Sequence, residues 1–302
     1  MVKDSFGRDV TNLRISVTQR CNLRCQYCHH EGERDIKKEY MTPDEIAKIT
    51  SLGAKLGIRK IKITGGEPLL RPDISEIIRK IRHVKGITEI SMTTNGTLLN
   101  QKASEIKKAG LDRVNVSLDT ANHDKYKDIT GVDALDSVLK GIEKAIQVGL
   151  NPVKINMVIL KNVNSDEIDS MIKWAQETSV VLQIIELIPL GRLYEEYHVD
   201  LKNIEEKLQK ISTRVVEREM QKRRKYYLHP NGEVEVVRPV HNSEFCSNCT
   251  RLRVTSNGYL KPCLMRDDNL QDILTPLRKG AGEQELLEIF RSAIRIREPY
   301  YK

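Results

Sequence analysis

Leu13-Arg14-Ile15-Ser16-Val17-Thr18-Gln19-Arg20-Cys21-Asn22-Leu23-Arg24-Cys25-Gln26-Tyr27-Cys28 reads as a strand that runs straight into a loop of thiols. Leu13, Ile15 and Val17 alternate with polar residues, the period of a half-buried strand. Cys21, Cys25 and Cys28 then follow in a C-x3-C-x2-C array. A short loop at a strand end can wrap three thiolates around three corners of an iron–sulfur cube and leave the fourth iron without a cysteine. Electron-transfer clusters ordinarily fill all four corners. An open corner can bind and activate a substrate, as the open position of a catalytic zinc does. His29 and His30 come next and can complete a zinc tetrahedron instead. Three buried cysteines without metal are the blandest reading.

Outward from this loop, one unit recurs. Thr42-Pro43-Asp44-Glu45 supplies an N-cap, a first-turn proline and two acids for a helix running to about Gly57. Lys60-Ile61-Lys62-Ile63-Thr64 alternates as a strand and ends at Gly65-Gly66. Pro72-Asp73 opens a helix with Ile74, Ile77, Ile78 and Ile81 on one face. Strands are predicted at 87–93, 112–118, 153–159 and 180–187, and helices near 98–109, 133–148 and 165–178. Six strands alternating with helices predict an α/β fold, an incomplete (β/α)6 TIM-like barrel. Its active site belongs at the strand C-termini, where Cys21–Cys28, Gly65–Pro68, Thr93–Gly96 and Ser117–Asp119 all fall.

Near 190 the rhythm breaks at Pro189 and Gly191. A helix near 201–211, short strands at 213–219, 224–228 and 233–237, a turn at Pro230-Asn231-Gly232 and a last helix near 283–296 make a small C-terminal α+β region. We therefore expect a partial barrel over 1–190 and a region over 191–302 folded against its open side.

The chain has 302 residues, 39% hydrophobic and 30% charged, enough for a full core. It has no bilayer-length apolar run and no signal peptide, so a cytoplasmic protein is expected. Six cysteines in two tight groups fit metal ligation better than disulfides. The net charge of +8 suits a polyanionic partner, though a lysine-rich surface explains it equally.

Gly65-Gly66-Glu67-Pro68 lets backbone approach a ligand closely and offers a carbonyl or carboxylate to an ammonium group. No P-loop or dinucleotide fingerprint occurs. The second thiol group is Cys246-Ser247-Asn248-Cys249 followed by Cys263, with His241 as a candidate fourth zinc ligand. Between them, Arg251-Leu252-Arg253 on a strand points two guanidiniums to one side, which suits a phosphate chain. Lys222-Arg223-Arg224-Lys225, ahead of Tyr226 and Tyr227, reads as a solvated edge strand rather than a nucleic-acid patch.

These motifs together resemble the radical S-adenosylmethionine family. Within it they resemble the branch that cyclises GTP for molybdenum cofactor biosynthesis. The likeness runs from Leu13-Arg14-Ile15-Ser16 through Thr64–Pro68, Thr93-Thr94-Asn95-Gly96 and Val116–Asp119 to the C-x2-C-x13-C of Cys246, Cys249 and Cys263. It implies one [4Fe–4S] cluster on Cys21, Cys25 and Cys28, whose open iron chelates S-adenosylmethionine. That cofactor would be held by the Tyr27 backbone, Gly66, Ser117 and Ile188. It implies a second [4Fe–4S] cluster on Cys246, Cys249 and Cys263, with an open iron for the guanine of GTP. By motif position Arg14, Lys62, Thr93, Lys154, Arg251, Leu252 and Arg253 would bind GTP, with Arg251 and Arg253 also serving catalysis.

The implied reaction begins with reductive cleavage of S-adenosylmethionine. The radical takes hydrogen from C3′ of GTP, and that carbon then attacks C8. A reductant protein would donate the electron, and the product would pass to cyclic pyranopterin monophosphate synthase. A homodimer stays open. Three departures from the family stand out: Ile188 for a methionine, Gln183 for a sixth-strand arginine, and a Tyr300-Tyr301-Lys302 end in place of a Gly-Gly tail. The alternatives are a radical enzyme that modifies peptides, an iron–sulfur redox carrier, or a basic nucleic-acid-binding module.

Overall fold

The computed structural model describes residues 2–33, 40–190 and 193–302. Met1 and Gly191, on which two expectations rested, lie outside them. Six strands, β1 (Asn12–Ser16), β2 (Lys60–Thr64), β3 (Glu89–Thr94), β4 (Arg113–Ser117), β5 (Val153–Ile159) and β6 (Val181–Glu186), lie side by side in chain order. Each pairs in parallel with the next. Between them run α1 (Pro43–Lys55), α2 (Ile74–Arg82), α3 (Leu99–Lys108), α4 (His123–Thr130), α5 (Leu135–Gln147) and α6 (Ile168–Glu177).

Local chemistry explains the boundaries. At the start of α1, Thr42 Oγ1 accepts from Glu45 N at 3.2 Å and Glu45 Oε2 accepts from Thr42 N at 2.8 Å, a reciprocal capping box. The second helix begins at Ile74 with Asp73 at its N-cap position, as read, and Pro68–Leu70 ahead of it forms a short 3₁₀ turn. Helix α4 escaped the sequence reading because its eight residues are mostly polar, with an apolar face of little more than Tyr126 and Ile129.

The strand period sorts the chemistry. Leu13, Ile15, Ile61 and Ile63 are fully buried, together with Ile74, Ile77, Ile78 and Ile81 of α2, in the main core. Each fully buried isoleucine contributes about 1.5–3 kcal/mol. The alternate strand positions carry Arg14, Lys62, Asn115, Lys154 and Gln183, which line a central cavity.

The C-terminal part differs from expectation. Its strands β7 (Arg214–Glu217), β8 (Arg224–Leu228), β9 (Gly232–Val237), β10 (Arg251–Val254), β11 (Tyr259–Lys261) and β12 (Gln271–Asp272) extend both edges of the barrel sheet. Strand β9 pairs in parallel with β6, and β10 with β1. Eight parallel strands therefore stand within a twelve-stranded sheet, whose order β12-β11-β10-β1-β2-β3-β4-β5-β6-β9-β8-β7 leaves it open. Among the described residues no helix is long and apolar enough to cross a membrane.

Candidate functional site

The first cysteine loop is clamped from two sides. Arg24 N donates to Thr130 O at 2.8 Å and Gln26 N to Ile129 O at 3.1 Å, so the end of α4 holds it. Tyr27 Oη donates to Asp119 Oδ2 at 2.5 Å, just past β4, while Asp119 Oδ1 accepts from Val158 N at 2.8 Å. Burial lifts Asp119 to about 6.

The glycines beneath this loop also answer to packing. A Cβ on Gly65 would sit 2.3 Å from Thr18 O, and one on Gly66 2.3 Å from Arg20 O. Gly66 N donates to Thr18 O at 2.7 Å and Glu67 N to Arg20 O at 2.8 Å. These residues are glycine because the loop leaving β1 lies directly on the loop leaving β2. The fully buried Glu67 carboxylate is likewise engaged by protein, accepting from Leu69 N at 2.9 Å, Thr94 Oγ1 at 2.7 Å and Asn95 N at 2.6 Å. It joins the ends of β2 and β3. Burial pushes it up to about 7.

The second cysteine group repeats a feature of the first. Cys249 N donates to Cys246 O at 3.2 Å, as Cys28 N does to Cys25 O at 3.2 Å. The chain ends hold this segment. Arg8 donates to Cys246 O at 2.8 Å and Arg297 to Cys249 O at 2.7 Å, and buried Asp4 accepts from both arginines. The electrostatics of the two groups differ. Burial raises Cys21, Cys25 and Cys28, with Glu67, Asp119 and Glu31 nearby adding to it. Burial also opposes ionisation of Cys249, yet Arg251 and Arg297 bring its thiol down overall.

All six thiols are free, and the two all-sulfur sets suit iron–sulfur clusters. The zinc readings fare worse. Among the described residues no three His, Cys, Asp or Glu side chains gather as one metal ion requires. A cube spreads its corners wider. His29 is half-buried, with a buried Nδ1 that has no partner among the described residues and a ring lowered by burial to about 4. His241 stacks on Tyr301, with ring centroids 5.0 Å apart.

Both thiol groups open onto one cavity of about 710 Å³. Eleven Arg and Lys side chains and five Glu line it, so its wall is strongly positive. Arg14, Tyr27, Lys62, Gly66, Thr93, Ser117, Lys154, Ile188, Arg251 and Arg253 all lie on that wall. Leu252 does not. Strand alternation turns its side chain into the core, fully buried, which corrects the expectation that it touches a ligand.

Sequence reasoning missed the partners of these cations. Glu31 accepts from Arg14 Nη2 at 2.5 Å and from Arg253 Nη1 at 2.7 Å. Arg253 is thus tied to a residue just past Cys28, although both arginines were read from the second group alone. Glu235 accepts from Lys154 Nζ at 2.5 Å, Gln183 Nε2 at 2.5 Å and Arg218 Nη1 at 2.8 Å. Asn115 accepts from Lys62 Nζ at 2.9 Å and from Arg113 Nη1 at 3.0 Å. Burial, then Arg113 and Arg14, brings Lys62 well below the usual lysine range. Arg251 makes no hydrogen bond or ion pair from its guanidinium to any described residue. Burial, with Arg253 and Arg14 beside it, pulls it to about 9. The period-2 patterns Arg113-Val114-Asn115-Val116 and Glu233-Val234-Glu235-Val236 did carry a signal for charge on the inner face.

Comparison with known proteins agrees with this layout. Residues 15–175 match the Radical SAM superfamily and residues 180–302 match Molybdenum Cofactor Synthesis C. A probable GTP 3′,8-cyclase of Pyrococcus horikoshii is 51% identical over 100% of this chain and 98% of its own. One of Methanocaldococcus jannaschii is 47% identical over 100% of this chain and 99% of its own. Streptococcus suis SuiB, solved with bound S-adenosylmethionine, superposes with a TM-score of 0.72 at 18% identity. That match covers 97% of this chain and 67% of SuiB, and it shows a common fold. With its strand-end thiols, its open parallel sheet and its second thiol group on the added strands, the chain belongs to the radical S-adenosylmethionine superfamily, in the branch that carries the Molybdenum Cofactor Synthesis C region.

Proposed function

We propose that the chain is a GTP 3′,8-cyclase, converting GTP to (8S)-3′,8-cyclo-7,8-dihydroguanosine 5′-triphosphate in molybdenum cofactor biosynthesis. One observation carries this reading: two separate three-thiol groups line a single positive cavity. Cys21, Cys25 and Cys28 would hold one [4Fe–4S] cluster and Cys246, Cys249 and Cys263 the other. Together with S-adenosylmethionine against Tyr27, Gly66, Ser117 and Ile188, these supply one-electron radical chemistry when bound.

The protein's own part is to bind, orient and shield. Arg251 offers an uncommitted guanidinium, and Arg14 and Arg253 offer charge only half balanced by Glu31. Lys62, held below the usual lysine range by burial and by Arg113 and Arg14, would have its charge favoured again beside a polyphosphate. Ile188 and Pro189 give the wall an apolar stretch, and Tyr300 and Tyr301 close the C-terminal side. Residues 1–190 would thus carry the first cluster, the cofactor and part of the substrate wall, and 191–302 the second cluster and the rest of that wall, with the product released as a nucleotide for the next synthase.

The test is anaerobic incubation of reconstituted protein with GTP, S-adenosylmethionine and a reductant, followed by mass analysis. Deoxyadenosine without a cyclised nucleotide would remove the cyclase reading and leave the radical chemistry.

A further inference from the structure

The basic run Lys222-Arg223-Arg224-Lys225 does not lie on the surface as one patch. Arg224 is exposed, whereas Arg223 turns inward with a side chain only 12% exposed and lines the cavity. The geometry that turns it is specific. Arg218 N donates to Arg223 O at 2.8 Å, closing the loop that joins β7 to β8. The loop tip is pinned to the second thiol group, where Gln221 N donates to Asn248 O at 2.9 Å and Gln221 Nε2 approaches Cys249 Sγ at 3.8 Å. Lys222 pairs outward with Glu217 at 3.1 Å.

The charges around Arg223 do not balance. Among the described residues Glu235 is the one carboxylate paired with Lys154, Arg218 and Arg223, the last at 3.9 Å. Gln183, neutral, donates to the same Glu235 oxygen that Arg223 approaches. Arg223 Nε is buried without a hydrogen-bond partner. Arg223 also adds to the repulsion felt by Arg251, so the two share one stretch of the cavity. With Lys154 buried, Arg223 largely so and Arg218 half-buried, three cations on one carboxylate are costly unless an anion completes the set.

We propose that Arg223, with Arg218 beside it, binds the polyphosphate of the nucleotide from the β7–β8 hairpin, together with Arg251. This rests on the cyclase reading. The hairpin then does two jobs: its tip braces the second thiol group, and its base supplies charge to the substrate.

The experiment is calorimetric titration of anaerobic, cluster-loaded protein with GTP, GMP and guanosine. Arg223→Ala should weaken GTP roughly ten- to a hundred-fold, the value of one charge-assisted contact. It should weaken GMP less and leave guanosine unchanged, and Arg223→Lys should restore part of the loss. Arg224→Ala, at the exposed next residue that begins β8, should match the wild type. Arg223→Gln covers the case in which the alanine variant does not fold. An equal loss for GTP and guanosine, or no loss for either, overturns the assignment and leaves Arg223 a structural ion pair. A wild type that binds no GTP removes the cyclase reading and this role with it, so the two failures are told apart.

Discussion

Glu31 Oε2 accepts from Arg253 Nη1 at 2.7 Å, while the other oxygen of the same carboxylate accepts from Arg14 and from Thr64 Oγ1 at 2.8 Å. One acid just past Cys28 therefore joins β1, β2 and β10 beneath the two thiol groups. Burial opposes its ionisation, yet the two arginines hold it well below the usual carboxylate range. Glu31→Gln leaves two buried guanidiniums without their counter-charge, a change worth about 3–5 kcal/mol. The unfolding midpoint of the anaerobic protein should fall by roughly 6–12 °C. The pH dependence has a defined sign. The folded state keeps Glu31 ionised below its ordinary value, so its stabilisation is complete above about pH 4.5 and is lost on acidification. The glutamine variant should lack that acid limb. Matching midpoints and matching acid limbs would mean that Glu31 holds nothing.

Arg251 and Arg253 should separate where the sequence pairs them. Arg253 is spent partly on Glu31, whereas Arg251 has no hydrogen-bond or ion-pair partner among the described residues. Arg251→Ala should weaken GTP binding by one to two orders of magnitude at little cost in stability, since a charge-assisted contact is worth about 1.5–3 kcal/mol. Arg253→Ala should also lower the unfolding midpoint, because it strips Glu31 of a partner. Equal effects of the two variants on stability would contradict the pairing.

Six free thiols divided three and three predict two clusters per chain, or about eight irons. Cys25→Ala should leave about four and abolish deoxyadenosine formation. Cys249→Ala should also leave about four, but retain slow cofactor cleavage without cyclised product. Iron analysis and product assays on the same samples decide it. Bound zinc in the Cys25→Ala protein would point to a different metal at the second site.

The sequence was most legible where chemistry and period coincide. Lys60–Thr64 alternates strictly and ends in glycine, and it is β2 as read. Thr42-Pro43-Asp44-Glu45 carries its whole capping box locally. Neither needed a partner elsewhere. What escaped depends on contacts distant in the chain. Asp4 meets Arg297 across 293 positions, and Arg14 meets Glu31 through a backbone turn with φ +56° that no residue type announces. The same limit hid the placing of β9 and β10, since strands of ordinary pattern give no sign of which edge they join. Glu67 was legible as important but its packing role was not, because the groups that donate to it, Thr94 and Asn95, come from the next strand's end.

Glu67 also yields a pH prediction of opposite sign to that of Glu31. Burial lifts it to about 7, whereas in the unfolded chain it ionises near the ordinary glutamate value. Between about pH 4.5 and 7 the folded protein thus retains a proton that the unfolded chain has already released. Stability must then fall as pH rises through that window, by an amount on the order of 3 kcal/mol. Asp119, lifted to about 6, adds to the slope in the lower part of the window, and the histidines act in both proteins. The quantity to measure is therefore the difference in unfolding midpoint between wild type and Glu67→Gln, taken anaerobically every half pH unit from 5 to 8. The wild type should lose ground to the variant as pH rises and then run parallel to it above about 7.5. A difference that stays constant from pH 5 to 8 would show that Glu67 is ionised throughout, its three hydrogen bonds outweighing burial.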